Sequence, residues 1–434
     1  MFIMKQENKK YRLFNIVQGT TLSVIDHASL SALNFLLGLG FINFGSKTDY
    51  GNYAQLFAFM ILIQSIFHSL VYEPLLTLAA KKSPIKTARM ESALLWYLTS
   101  SALLGSFLIY LLLLAAIRLQ FITELSTSTV LPFSLAIFSL LMREYVRTVC
   151  FLRRQPARSL QVDSIYAISL CLGLLFFAMT TGFVLGAVFK SMIMANIMAV
   201  IFGLLRLRIE PIYPLRDFRQ VIYETWNCAK WSLPRSVVTW LLANTYLYIT
   251  SFFFGSVIVA EIAAARLFIM PLGLCLTAWE KIFLPRASRW LSHNDVLRVQ
   301  QTALFSARIF LALVLLYFLL LVVSFEKIQF YLLANNYSNI LPFVLLWGGW
   351  ALVNSFRTVA TNLLLAALKF QQLFHYATIV ALLSLPITGI AAFILGPEAT
   401  LVTYILSEVL FTYLTWYKGW SNVRKVLQTT NTSP

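Results

Sequence analysis

Charge is what this chain has least of. Only 12% of its 434 residues are Asp, Glu, Lys or Arg, about half the roughly 25% of an ordinary soluble domain. With 59% hydrophobic and 15% aromatic residues, a soluble fold could not hide that much apolar surface. Acids are the scarcer sign, 17 against 34 Lys and Arg, for a formal charge of +17. The cations are dispersed among the joints between apolar stretches and form no single basic face, which argues against nucleic acid as a partner. Cysteine is also rare: Cys150, Cys171, Cys228 and Cys275 lack close-paired spacing, so neither a disulfide framework nor a zinc site is indicated. His27, His68, His293 and His375 are scattered, with no HExxH pair and no GxxxxGK[ST] loop. No array for metal hydrolysis or ATP use is present, and the sequence reads as that of a non-enzyme without a cofactor.

What is abundant is long apolar sequence. Twelve stretches stand out, near residues 22–44, 53–79, 93–117, 129–150, 164–181, 184–205, 234–254, 258–280, 304–325, 339–366, 374–395 and 399–417. A spanning helix needs about 20 apolar residues, so the expected fold is an all-α polytopic membrane protein with about 12 transmembrane helices and no sizeable soluble domain. Lys5, Lys9, Lys10 and Arg12 precede the first stretch without a cleavage pattern, and that segment is read as retained. Assigning alternate joints to the cytoplasm, with both termini there, places 26 basic residues inside and only Lys47, Arg118 and Lys327 outside. That bias supports the helix count and the orientation together.

The sequence also carries a faint copy of itself. A shift of 210 residues brings Asn34 onto Asn244, Phe44-Gly45-Ser46 onto Phe254-Gly255-Ser256, Arg147-Thr148-Val149 onto Arg357-Thr358-Val359, and Tyr166-Ala167 onto Tyr376-Ala377. One offset near half the length implies two six-helix lobes, residues 1–210 and 211–434, joined by a polar linker near Arg206–Lys230 with Pro211 and Pro214. Six helices per half is an even number, so the repeats are parallel and their axis is expected along the membrane normal. Many secondary transporters share this design, with a site between the halves.

Five cations belong to no joint: Lys190, Arg235, Arg266, Arg308 and Arg357. A charge at the bilayer centre costs roughly 2.5–3.5 kcal/mol on insertion scales, so it normally faces a wet interior or reaches back to the interface. Arg235 and Arg308 are near helix ends and can snorkel, as can Lys190. Arg357, within Asn354-Ser355-Phe356-Arg357-Thr358, and Arg266 are the expected cavity residues. The structural alternatives are an ion pair with Glu408 for Arg357 and one with Glu261 for Arg266. Substrate contacts are thus assigned to Arg357, Arg266, Lys190 and Arg147, with Trp347 and Trp350 as the aromatic candidates away from the interfacial belt. Glu408 and Glu261 are the candidates for coupling to a proton or sodium ion. Asp26, Glu73, Glu144 and Asp163 with Arg143 and Arg147 form either an inner gate or plain structural pairs.

These residues carry a resemblance. Asp26-His27-Ala28-Ser29-Leu30-Ser31-Ala32-Leu33-Asn34-Phe35, then Tyr50-Gly51-Asn52-Tyr53-Ala54 and Tyr72-Glu73-Pro74, resemble the first two helices of O-antigen-type polysaccharide-biosynthesis flippases. These belong to the multidrug, oligosaccharidyl-lipid and polysaccharide transporter superfamily. Arg143-Glu144-Tyr145-Val146-Arg147, with Asp163 opening the next helix, looks like their fourth-to-fifth helix junction. The resemblance implies two lobes around a cationic cavity that moves an undecaprenyl-pyrophosphate-linked glycan from the cytoplasmic to the outer leaflet of a bacterial inner membrane, for O-antigen, capsule or exopolysaccharide. Its implied partners are membrane lipids, a polysaccharide polymerase and other assembly proteins. Peptidoglycan-precursor flippases of the superfamily usually carry two further helices that this sequence lacks. The competing readings are a multidrug or other small-molecule exporter, a polytopic glycan polymerase or ligase, and a channel or scaffold.

Overall fold

The computed structural model describes residues 28–79, 82–120, 124–207, 215–293, 295–333, 337 and 340–421. Among these there is no strand. The helices are α1 (Ala28–Phe44), α2 (Lys47–Ala79), α3 (Pro84–Arg118), α4 (Thr127–Leu152), α5 (Pro156–Thr180), α6 (Leu185–Leu207), α7 (Leu215–Leu267), α8 (Met270–Ser292), α9 (Val296–Val323), α10 (Phe325–Leu332), α11 (Leu341–Ala366), α12 (Phe370–Leu395) and α13 (Glu398–Trp420). Among the described residues, eight helical spans are long and apolar enough by themselves to cross a membrane. The chain is an all-α polytopic membrane protein of about twelve crossings in two six-helix lobes. α1 to α6 supply the first six. The second six are the latter part of α7 as far as Gly255, its remainder with α8, and then α9, α11, α12 and α13.

The repeated Phe-Gly-Ser motif marks the first turn of each half. In the first, the Ser46 hydroxyl caps α2 by accepting from the Asp49 N–H at 3.0 Å, satisfying one of the helix's unpaired amides. In the second, Gly255 has φ +79°, a left-handed conformation inside the helical run that glycine adopts without the Cβ penalty. The sequence placed a polar linker at 206–230, but the part from Leu215 is helical and runs on into the membrane span that begins at Ser232. Residues 208–214 lie outside the described chain. The predicted stretch 258–280 is broken at Phe268–Ile269, after which Pro271 opens α8, a position where its missing N–H costs nothing.

Two compact units result. The first ends at Val237, and the second begins at Val238 and takes in Phe41–Asn43. Within the first unit α4 packs against α3, α5 and α6; within the second α11 packs against α8, α9 and α13. Sixteen of the 26 residues of α4 are buried, and thirteen of the 26 in α11, so in each bundle the fourth crossing is the hub. Close approach is built into the first hub: a Cβ on Gly203 of α6 would come within 2.2 Å of Val146 Cγ1 on α4. Polar side chains in these apolar helices mostly bond backward to their own backbone, as Thr250, Thr403 and Thr415 do to carbonyls four residues earlier. That removes the cost of an unmet hydroxyl in hydrocarbon.

Candidate functional site

The first polar cluster is built on α4 of the first unit. Arg143 and Arg147 are one turn apart and share a face, because residues four apart stack along a helix. Glu144 accepts from Arg147 Nη1 at 2.8 and 3.0 Å and lies 3.6 Å from Arg143 Nη2. Asp163 on α5 completes the set, with Oδ1 3.3 Å from Arg143 Nη1 and Oδ2 2.6 Å from Arg147 Nε. The Arg143 guanidinium also stands 3.7 Å from the ring centroid of Tyr166. Asp163 and Arg143 are 2% and 5% exposed, so two positive and two negative charges are removed from water as one interlocked group. Such a group survives burial because each charge is met. A cavity of about 240 Å³ opens beside it, lined by Arg143, Glu144, Arg147 and Tyr166 together with residues of α1, α2 and α6.

The second cluster is built on α11. Asn354 Oδ1 accepts from Arg357 Nη2 and Nε at 2.9 and 3.2 Å, and Glu408 of α13 lies 2.9 Å from Arg357 Nε. The Arg357 side chain is 31% exposed, while Glu408 is 7% exposed. Nearby, Tyr246 stacks on Tyr404 at 4.9 Å, Tyr404 on Trp350 at 6.2 Å, and Trp347 meets Trp350 edge-on at 5.3 Å. Arg266 joins this aromatic group, 5.4 Å from the Trp347 ring and 3.4 Å from the Tyr246 hydroxyl. Each such contact between a cation and an aromatic face is worth about 0.5–2 kcal/mol.

The candidates named from the sequence therefore separate. Arg143, Glu144, Arg147 and Asp163 come together in the first unit; Arg357, Glu408, Arg266, Trp347 and Trp350 gather in the second. Trp347 is 1% exposed and donates to the Ile262 carbonyl at 3.1 Å, which makes it a core residue of its bundle. Glu261 is half-buried on α7, five residues before Arg266. Glu73 is held apart from the arginines, accepting from the Ser232 hydroxyl on α7. Lys190 stands apart from both clusters, exposed on the face of α6 that also exposes Met194, Met198, Ile201 and Leu205. Asp26 lies outside the described residues.

Several participants were not singled out in the sequence. Asn354 was visible only as part of a polar stripe, and Tyr246 and Tyr404 were two of 19 tyrosines. Glu91 lies just before the third apolar stretch, which begins near residue 93. It is 2% exposed and pairs with Arg153, which also donates to the Leu207 carbonyl at 2.5 Å, tying α3, α4 and the end of α6 together.

No protein-family model matches the chain, and a search of curated proteins finds no relative. Solved structures do match over nearly the whole length. An inward-facing multidrug-resistance MATE transporter of the MOP superfamily superposes with TM-score 0.74 at 12% identity, covering 93% of this chain and 96% of that one. The lipid II flippase MurJ, in an inward closed conformation, gives 0.69 at 14% identity, covering 93% and 87%. A MOP superfamily transporter from Pyrococcus furiosus, whose binding pocket is described as having reverse polarity, gives 0.62 at 11% identity, covering 95% and 96%. The fold is thus one shared by multidrug transporters and a lipid II flippase.

Proposed function

We propose that this protein is an alternating-access flippase that carries an undecaprenyl-pyrophosphate-linked oligosaccharide from the cytoplasmic to the outer leaflet of a bacterial inner membrane. The observation that carries this reading is the set of arginines inside the spanning bundles. Arg266 and Arg357 are turned to aromatic or polar partners of their own bundle, while Arg143 and Arg147 are matched by Glu144 and Asp163. A pyrophosphate is rejected by hydrocarbon, and guanidinium forks are suited to hold its oxygens with paired hydrogen bonds. Arg357 is the leading contact: it is the accessible member of its ion pair, and phosphate can replace Glu408 as its partner. A carboxylate released in this way can take up a proton or sodium ion, which would couple Glu408 to transport. Arg143, Glu144, Arg147 and Asp163 are assigned to a gate whose pairs exchange during the cycle. With the interior negative, each negative charge moved outward is favoured by roughly 2.3 kcal/mol per 100 mV.

A second reading, a small-molecule exporter, is favoured by the Tyr246–Tyr404–Trp350 stack, whose half-buried Trp350 end is an aromatic face suited to flat organic cations. One experiment separates the two. Proteoliposomes holding the purified chain are supplied with a lipid-linked oligosaccharide on one leaflet, and its appearance on the other is measured. Arg357→Ala and Arg266→Ala are expected to abolish translocation in correctly inserted protein, with Arg357→Lys retaining part of it. Translocation at the normal rate in both alanine variants removes these arginines from the mechanism; transport of an organic cation without any flipping favours the exporter.

A further inference from the structure

The cavity of the first unit has a wall of two kinds. Phe57, Met60 and Met192 contribute apolar lining, whereas Asn34, Gln64, Tyr166 and Asn196 contribute groups that can both donate and accept. Among the described residues, the side-chain polar groups of Asn34 and Gln64 and the Tyr166 hydroxyl have no hydrogen-bond partner in the protein. Asn196 is 1% exposed and bonds Ser139 through its amide nitrogen at 3.3 Å, leaving its Oδ1 unmet. A polar group held out of water without a partner is unfavourable; Asn196 Oδ1 is buried in that state, and the half-buried Asn34 and Gln64 line the same space.

The chemistry of that space narrows what fills it. An acyl chain would leave the amides and the phenol unsatisfied. An anion would meet no net positive charge, because Arg143 and Arg147 are already matched by Glu144 and Asp163. A neutral ring bearing hydroxyls on its rim and C–H groups on its face satisfies both walls. At about 240 Å³ the cavity is below the roughly 300–1,000 Å³ of pockets for drug-sized ligands, so it holds one ring, not an oligosaccharide. We propose that this cavity is a saccharide subsite for a single neutral pyranose unit. The inference rests on the flippase reading only for the source of that sugar.

The test uses the full chain in detergent and free monosaccharides (glucose, galactose, rhamnose, N-acetylglucosamine), with binding followed by saturation-transfer NMR. At least one neutral sugar is expected to bind, with affinity reduced about tenfold in Asn34→Leu and in Gln64→Leu at an unchanged unfolding midpoint. Met60→Trp, which fills the space, should remove the signal; if that variant does not fold, the two leucine variants decide. No signal for any sugar, undiminished binding in the leucine variants, or displacement of sugar by inorganic pyrophosphate would overturn the proposal. Sugar binding without lipid-linked flipping removes the flippase reading and leaves the subsite. Flipping in a wild-type chain that binds no free sugar removes the subsite alone.

Discussion

In the first bundle Arg147 sits between Glu144, three residues back on α4, and Asp163 on α5; in the second, Arg357 sits between Asn354, three residues back on α11, and Glu408 on α13. The 210-residue shift that overlays the two arginines also overlays Glu144 on Asn354. The local half of the arrangement, an acceptor one turn before an arginine on the hub helix, is thus common to both halves. The partner from another helix is not, since it comes from the fifth crossing in one bundle and the sixth in the other. The first half adds a second arginine and closes over the group. The second leaves its arginine 31% exposed beside an aromatic stack. One repeated frame therefore holds a largely buried, balanced cluster in one bundle and a more accessible cation in the other.

Removing the acid from each side should separate the two bundles most strongly. Asp163→Ala leaves two buried guanidinium groups dependent on Glu144 and is expected to cost about 3–5 kcal/mol, the range for breaking a buried pair. Glu408→Ala is expected to cost no more than the roughly 1.5–3 kcal/mol of one hydrogen bond to a charged group, because Arg357 keeps Asn354 and some solvent. Unfolding followed by tryptophan fluorescence in detergent reads both, and equal losses would show that the bundles do not differ in this way. Packing supplies the next contrast. Gly203→Ala drives a methyl against the stiff, branched Val146, at an expected 1–3 kcal/mol for overpacking. Gly348→Ala meets the end of the Phe318 ring at 2.3 Å, which is half-buried and can swing, so its loss should be smaller by the same assay.

Smaller effects sharpen the picture of each half. Tyr404→Leu removes stacking on Tyr246 and Trp350 in the second unit and should cost about 0.5–1.5 kcal/mol per aromatic pair beyond lost area; no change would mean that the stack exists for a ligand and not for stability. In the first unit the hydrogen bond from Lys82 holds the Glu224 carboxyl below its ordinary range. A folded value lower than the unfolded one contributes stability above the unfolded pKa, and this is lost as pH falls through the folded value. The pair is part-exposed, so Glu224→Gln should change stability by no more than about 0.2–1 kcal/mol. That difference should shrink when unfolding is measured below the carboxylate range.

Much of the fold could be read from periodic hydrophobicity, because a membrane admits only segments that satisfy their own backbone. The crossings were found that way, with starts displaced where helices begin in polar sequence, as α3 does at Pro84 instead of residue 93. Glu91 fell in that gap. The helical extension of α7 toward Leu215 was unreadable for a similar reason: Arg219, Glu224 and Lys230 break the apolar run without breaking the helix. The pairing of Arg143 and Arg147 with Glu144 and Asp163 was legible as a set because helical spacing and a short connection keep these residues near one another. Glu73, grouped with them in the sequence, has a partner that spacing does not reveal: a serine 159 residues away donates to it.

The sequence by itself determined that this chain lies in a membrane, that it is a doubled structure, and that a few arginines stand where lipid forbids charge. These follow from composition and spacing, which act locally along the chain. Only the tertiary structure decided which acid meets which arginine, which tryptophan is core, and where a cavity remains. Those outcomes depend on helices far apart in sequence presenting particular faces to each other, and a rotation of one helix by a single residue exchanges the faces without altering the pattern that identifies it.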